Sequence, residues 1–115
     1  MPNTGHTLHR LTVVAALLLY TLLGVPSACA DITPERKQQL IHLLRHDCGS
    51  CHGMSLKGGL GPPLTHQALA DKSSNLLEDT IYYGMAERAM PPWQELLSRE
   101  EIHWLVERLK KGDLP

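Results

Sequence analysis

The sequence lacks phenylalanine altogether, and two tryptophans and three tyrosines are its only large aromatic residues. With 115 residues, 43% of them hydrophobic, the chain has room for one small domain and no more. A domain of this size buries only about 60 to 65% of its unfolded surface and usually needs a disulfide, a metal or a cofactor for stability. The composition therefore predicts a small domain stabilised by something besides its own core.

An excess of positive charge is also absent, because the formal net charge is −1. A nucleic-acid partner would require a clustered basic surface. The charge balance excludes nucleic-acid binding as the function.

No hydrophobic run is long enough to span a bilayer. The longest, Leu11–Leu23, has 13 residues, whereas a transmembrane helix needs about 20. It follows a short basic start and precedes the small-x-small site Ala28-Cys29-Ala30, so we predict a cleavable signal peptide at 1–30 and a domain at 31–115. The alternatives are a retained anchor and lipidation of Cys29, although Pro26 fits a lipoprotein signal poorly.

Strand-like alternation is missing as well, and helical signals take its place. A helix is predicted from Pro34 to about Asp47, beginning with Thr33 as its cap. A second begins at Ser73-Ser74 and ends near Gly84. A third, Arg99 to about Lys111, begins with a capping box and ends at Gly112. The glycine-rich and proline-rich segments between them predict loops, so the fold class is all-α.

Cysteine is scarce, and two of the three cysteines lie in Cys48-Gly49-Ser50-Cys51-His52. On a helical turn, two thiols three positions apart can form thioethers with the two vinyl groups on one side of a porphyrin. The next residue then directs its imidazole at the iron. The pattern predicts one covalent haem c, attached through Cys48 and Cys51, with His52 as an iron ligand.

Three other uses of the Cys-x-x-Cys pattern are open to test. A dithiol oxidoreductase carries it at a helix N-terminus after a strand, whereas here a helix precedes it. A structural zinc site needs four ligands, and only scattered histidines remain for it: His42, His46, His66 and His103. A plain disulfide would give no role to His52 or to the glycine-rich loop.

Iron in such a site takes a sixth ligand, for which methionine and histidine are candidates. Met90 lies on a loop stiffened by Pro91 and Pro92, and we predict it as the second axial ligand. The alternatives are two methionines and two histidines: Met54, Met85, His66 and His103.

Four segments occur in the order typical of small monohaem class I c-type cytochromes: Cys48 to His52, Gly61 to Leu64, Ala89 to Trp93, and a closing helix from Ile102 to Leu109. The chain resembles this family over nearly all of the domain. Its loop from Cys48 to Pro62 is more narrowly similar to the small periplasmic cytochromes encoded beside the cytochrome cd-type nitrite reductase of denitrifying bacteria.

The resemblance implies the compact class I cytochrome c fold, with three main helices and loops around one haem. It implies thioethers at Cys48 and Cys51, His52 as the proximal ligand and Met90 as the distal ligand. It also implies that the Pro62 carbonyl accepts a hydrogen bond from Nδ1–H of His52, which orients the ring.

Further implications of the resemblance concern packing. The first and last helices should cross near Leu40, Leu44, Trp104 and Leu105. Trp93 either hydrogen-bonds a haem propionate through its indole N–H or simply packs over the loop. The chain departs from larger family members because it lacks phenylalanine and the long insertions that shield the propionates.

Two axial ligands from the protein would leave iron no position for a substrate, so one-electron exchange is the expected chemistry. The predicted function is a monomeric periplasmic electron carrier, not an enzyme, without a transmembrane anchor after signal cleavage. Its expected partners are redox proteins, which meet Met54 and Leu56 of the Gly53–Leu60 loop. Lys57 and Arg88 are the candidate rim charges, and the resemblance points to cd-type nitrite reductase. The alternatives are a maturation factor for that reductase's haem and, if Met90 is not bound, a ligand-binding haem protein.

Overall fold

A computed structural model of the chain describes Val13 and residues 31–114. The predicted signal peptide at 1–30, with Cys29, lies outside the described residues except for Val13. Within 31–114 there are five α-helices and one π-helical segment: α1 (Pro34–Leu43), the π-helical segment Leu44–Cys48, α2 (Gly49–His52), α3 (His66–Leu69), α4 (Ser74–Tyr83) and α5 (Arg99–Lys111). No helix among these residues is both long and apolar enough to cross a membrane.

The all-α prediction is confirmed. The β pairing within residues 31–114 is limited to an isolated antiparallel bridge between Met85 and Met90.

Helix α1 begins where the sequence predicted, and the helical run that it starts continues beyond the predicted end. The Thr33 hydroxyl accepts the Arg36 N–H at 3.2 Å, and Pro34 occupies the first turn. Instead of stopping near Asp47, the chain stays helical through the π-helical segment and α2 to His52. The prediction ended the first helix just before Cys48, whereas the helical backbone continues through the attachment motif.

Helices α4 and α5 have the predicted caps. Ser73 accepts the Leu76 N–H at 3.2 Å at the start of α4. At the start of α5, Ser98 accepts the Glu101 N–H at 3.3 Å, and the Glu101 carboxylate accepts the Ser98 N–H at 2.9 Å. Gly112, at a φ of +69°, ends α5 in the left-handed conformation that favours glycine.

The sequence did not predict α3, which lies in a segment assigned to a loop. Its four residues begin after Thr65, whose hydroxyl accepts the Ala68 N–H at 3.3 Å. Thr65 was the available signal, but a helix of one turn produces no periodic pattern.

The core lies where α1, the π-helical segment and α5 meet, with contributions from the connecting loops. Its buried residues are all aliphatic: Leu40, Leu44, Leu56, Leu69, Leu97, Ile102, Leu105, Val106 and Leu109. Trp104 packs against this cluster from its edge. Of the four positions at which the first and last helices were expected to meet, Leu40, Leu44 and Leu105 are therefore in this core and Trp104 packs against it.

An ion pair joins the N-terminal parts of α1 and α5. Arg36 Nε lies 2.5 Å from Glu101 Oε1, and the Glu101 side chain is 15% exposed. The guanidinium of Arg36 is the main cause that lowers the pKa of Glu101. The same carboxylate caps α5, so one side chain both starts this helix and attaches it to α1.

We expect Glu101→Gln to lower the free energy of unfolding by about 1 kcal/mol at neutral pH. Because folding lowers the pKa of Glu101, its stabilisation is fully present above its unfolded pKa of about 4.3 and is lost as the pH falls through the folded pKa. The difference from wild type should therefore shrink below about pH 4 in denaturant titrations at several pH values. Glu95→Gln, at an exposed carboxylate, is the matched control. A difference independent of pH would contradict the ion pair as its source.

Candidate haem-binding site

The Cys-x-x-Cys-His segment lies at the C-terminal end of the helical run that starts at Pro34. Cys48 ends the π-helical segment, and Cys51 and His52 are in α2. Both cysteines are free thiols; Cys48 is half-buried and Cys51 is exposed. Burial is the main cause that raises the pKa of Cys48 to about 11, and the neighbouring Asp47 carboxylate adds to it.

These features disfavour the other uses of the pattern. A redox-active dithiol needs a cysteine with a lowered pKa, typically at a helix N-terminus, whereas Cys48 follows 14 residues of helix and has a raised pKa. Among the described residues no three His, Cys, Asp or Glu side chains form a group that could hold a metal ion. The two thiols are also not joined in a disulfide.

The ring of His52 has one nitrogen engaged by the protein and one available. Its Nδ1 lies 2.7 Å from the carbonyl oxygen of Pro62. A carbonyl oxygen only accepts hydrogen bonds, so Nδ1 must carry the proton and donate it. Nε2 then has a free lone pair, which is the state a histidine needs in order to bind a metal.

The glycine-rich loop folds back over the end of α2. The N–H groups of Gly61 and Gly58 donate to the last helical carbonyls, those of Cys51 and His52, each at 2.8 Å. A Cβ at Gly61 would lie 2.7 Å from Cε1 and 2.8 Å from Nδ1 of His52. The imidazole therefore packs directly on the Gly61 backbone, and this close approach fixes the plane of the ring.

Met90 lies on a second closed loop. Its carbonyl accepts the Met85 N–H at 3.0 Å, and its own N–H donates to the Arg88 carbonyl at 2.7 Å. Met90 is half-buried, and Met85 is 39% exposed. Met85 and Met90 are paired through their backbones in an isolated bridge, so this loop offers two candidate thioethers.

The other candidate ligands are engaged elsewhere. Nδ1 of His66 contacts the Lys110 carbonyl at the end of α5. Nδ1 of His103 lies 2.8 Å from the carboxylate of Glu78 on α4. Met54 is 61% exposed and packs beside Gly49, its sulfur 3.5 Å from where a Cβ on that glycine would stand. The two histidines are thus engaged by other parts of the chain, and Met54 lies in the glycine-rich loop, two residues from His52.

Trp93 lies at the end of the Met90 loop and is half-buried against the core. Its backbone N–H donates to the Ile81 carbonyl on α4 at 3.1 Å. The indole N–H makes no hydrogen bond with the described part of the chain, so it is available to an external acceptor.

Comparison with known proteins identifies the class. Residues 34–107 match the protein family described as cytochrome C oxidase, cbb3-type, subunit III. The chain is 45% identical to cytochrome c55X of Pseudomonas aeruginosa over 107 residues, covering 87% of this chain and 90% of that protein. The chain belongs to the c-type cytochromes. C-type cytochromes are electron-transfer proteins rather than enzymes, and they carry covalently bound haem c.

Two further proteins are similar to this chain in structure or in sequence. A solved structure of the c-type cytochrome NirC superposes with a TM-score of 0.70 at 49% identity, covering 71% of this chain and 96% of that one. A nitrite reductase of Stutzerimonas stutzeri is 26% identical over 117 residues, which is 90% of this chain but 21% of that enzyme. The fold of this cytochrome is therefore the class I fold implied by its sequence.

The described residues fit haem c in their chemistry. Two free thiols stand at the required spacing. The tautomer of His52 leaves the lone pair of Nε2 free to bind a metal. Helix α4 has no fully buried residue, although Leu77 and Ile81 pack against the core. Its apolar face is thus available to an apolar group. Haem c bound through these thiols supplies an iron that cycles between Fe(II) and Fe(III).

The sequence did not indicate Gly84 as part of this site. A Cβ there would stand 2.6 Å from the nitrogen of Pro92 and 2.7 Å from the carbonyl oxygen of Met90. Its position just after α4 and six residues before Met90 suggested only a helix end, because contacts between backbones leave no mark in side-chain patterns.

Proposed function

We propose that this cytochrome is a periplasmic electron carrier whose iron is bound by His52 and Met90, and that it delivers electrons to a cd-type nitrite reductase. The hydrogen bond from Nδ1 of His52 to the Pro62 carbonyl is the observation that carries the proposal. It leaves the Nε2 lone pair of the neutral ring free to bind iron and increases the basicity of the ring as a ligand.

Met90 is the stronger candidate of the two paired methionines. The backbone N–H and carbonyl of both methionines are hydrogen-bonded within the loop, but the Met90 side chain is the less exposed of the pair and is followed by Pro91 and Pro92. A neutral thioether ligand favours Fe(II) over Fe(III) and raises the reduction potential. Iron held by both His52 and Met90 would have no position open to a substrate, so the site would exchange electrons only.

Trp93 completes the proposed site. Its backbone bond to Ile81 fixes the residue at the end of the Met90 loop. The free indole N–H is a suitable donor to a haem propionate, because a buried tryptophan N–H normally finds an acceptor.

Substitution of the two methionines tests the axial ligand. In Met90→Ala, the oxidised protein should lose the charge-transfer band of the methionine–iron(III) bond and bind added imidazole at the open position. Met85→Ala is the matched control, since it removes the same side chain from the opposite side of the bridge. It should keep the band.

The reverse result, with the band lost in Met85→Ala and kept in Met90→Ala, would assign the ligand to Met85. A wild-type protein without the band would contradict methionine ligation itself and favour a ligand-binding haem.

The proposed partner is supported by similarity and by the surface. About a fifth of a nitrite reductase resembles nearly this whole chain, so carrier and enzyme share a related module. Apolar side chains are exposed beside the haem-attachment segment, with Leu60 at 94% and Met54 at 61%. The prediction of Leu56 as part of this contact was wrong, because Leu56 is buried in the core. Lys57 and Arg88 are exposed and form no ion pair with described residues. A small apolar contact with a cationic rim suits a brief encounter with an acidic partner surface.

Stopped-flow mixing of the reduced protein with oxidised cd-type nitrite reductase tests electron delivery. Oxidation should be much faster than in buffer, and the rate should fall as ionic strength rises. Lys57→Gln should slow the reaction at low salt. Lys72→Gln is its control, because Lys72 lies beside the end of α5, where its carbonyl accepts from Lys110 at 2.5 Å. Oxidation no faster than in buffer would contradict delivery and favour the maturation role.

Export to the periplasm is part of the proposal. Proteins of this family are typically exported, and the sequence of residues 1–30 has the three parts of a signal peptide. The mass of the purified protein should correspond to a chain that begins at Asp31 and carries one added haem. A mass that includes residues 1–30, or an acyl group on Cys29, would contradict simple cleavage after Ala30.

A further inference from the structure

Gly84 occupies a position that no other residue fits. Its φ of +68° with ψ of −168° belongs to backbone that residues with a side chain avoid. A Cβ at this position would also stand 2.6 Å from the nitrogen of Pro92 and 2.7 Å from both the Met90 oxygen and the Pro91 carbonyl carbon. All three atoms are backbone, so rotation of a side chain cannot relieve the overlap.

The segment that starts at Gly84 is closed by contacts between protein atoms. The Met85 N–H donates to the Met90 carbonyl at 3.0 Å, directly beside the packed glycine. The Arg88 N–H donates back to the Met85 carbonyl at 3.0 Å, and the Arg88 carbonyl accepts from Met90 at 2.7 Å. None of these contacts involves the side chain of Met90.

Both ends of this segment are fixed to the helices. At its start, the Tyr83 hydroxyl is 3.0 Å from Arg99 on α5, and Arg99 also pairs with Asp79 at 2.8 Å. At its end, the Trp93 N–H donates to Ile81 on α4 at 3.1 Å. The path between Tyr83 and Trp93 is therefore defined by the two helices and by the packing of Gly84.

We propose that Gly84 is a positioning residue for Met90: its lack of a side chain lets the Met90–Pro92 backbone pack on the end of α4, which holds the methionine in place independently of any bond to iron. The proposal rests on the assignment of Met90 as the axial ligand. A ligand held in this way resists displacement, because the loop gains little freedom when the sulfur leaves the metal.

The test uses the holoprotein and the pH at which the methionine–iron(III) band is lost on alkaline titration. Gly84→Ala should move this midpoint down by about one pH unit, a tenfold change in the balance between bound and displaced methionine. The same variant should bind added imidazole about tenfold more tightly.

Gly112→Ala is the matched control. Gly112 has almost the same φ, +69°, so alanine is also strained there. It ends α5, whose 13 residues place it about 20 Å from Arg99. This variant should lose stability without moving the midpoint. Equal shifts in both variants, or no shift in Gly84→Ala, would overturn the proposal.

Amide hydrogen exchange provides a second measurement that does not depend on Gly84→Ala folding. In wild type, the Met85 amide should exchange far more slowly than those of Ala86 and Glu87, which have no backbone acceptor among the described residues. In Met90→Ala, that protection should persist. If it disappears, the iron bond and not the glycine contact holds the loop, and the proposal fails.

The two measurements separate this proposal from the assignment of the ligand. A band that survives in Met90→Ala contradicts Met90 as the ligand, and the positioning proposal fails with it even where the Met85 amide is protected. A band that depends on Met90 together with an unprotected Met85 amide leaves the function intact and overturns the role of Gly84 alone.

Discussion

The site depends on one hydrogen bond, from Nδ1–H of His52 to the carbonyl of Pro62. Pro62 reaches the His52 ring only because the loop between them turns back directly after the helix. Glycines make this turn. Gly53, at a φ of +86°, begins it in a conformation that disfavours side chains, and Gly61 ends it under the imidazole ring. Substitution at either glycine would therefore act on the histidine, although neither residue has a side chain that could bind iron.

The helix before this loop is part of the same constraint. A helix leaves its last carbonyls without partners inside the helix. Here the N–H groups of Gly58 and Gly61 donate hydrogen bonds to the carbonyls of His52 and Cys51. The loop that orients the histidine thus also ends the helix that carries it. The π-helical turn at Leu44–Cys48 lies just before the first thiol, and such turns are frequent at functional sites because they change the direction in which the following side chains point.

Local hydrogen bonding explains which parts of the fold the sequence predicted. At the starts of α1 and α5, the capping hydrogen bonds join residues that are three positions apart: Thr33 with Arg36, and Ser98 with Glu101. The local sequence alone therefore specifies these helix starts. The π-helical turn, α3 and the Met85–Met90 bridge depend on tertiary packing or on single turns, and no periodic signal accompanies them. The attachment motif was readable because chemistry fixes its spacing. The contact of Pro62 came from family resemblance, and that of Gly84 was not predicted.

The two sides of the site share one structural solution. On one side the His52 ring packs on Gly61, and on the other the backbone of Met90 packs on Gly84; in each case a Cβ would stand within 2.8 Å of the atoms it supports. A chain without phenylalanine has few large side chains that could pack against a loop and fix its position. Direct contact between a glycine and the residue proposed as a ligand achieves the same rigidity with less volume. Rigid ligands suit a carrier, because an iron site that changes little between its two oxidation states exchanges electrons with little reorganisation. The glycine contacts at Gly61 and Gly84 thus provide the rigidity that large aromatic side chains would otherwise have to supply in so small a domain.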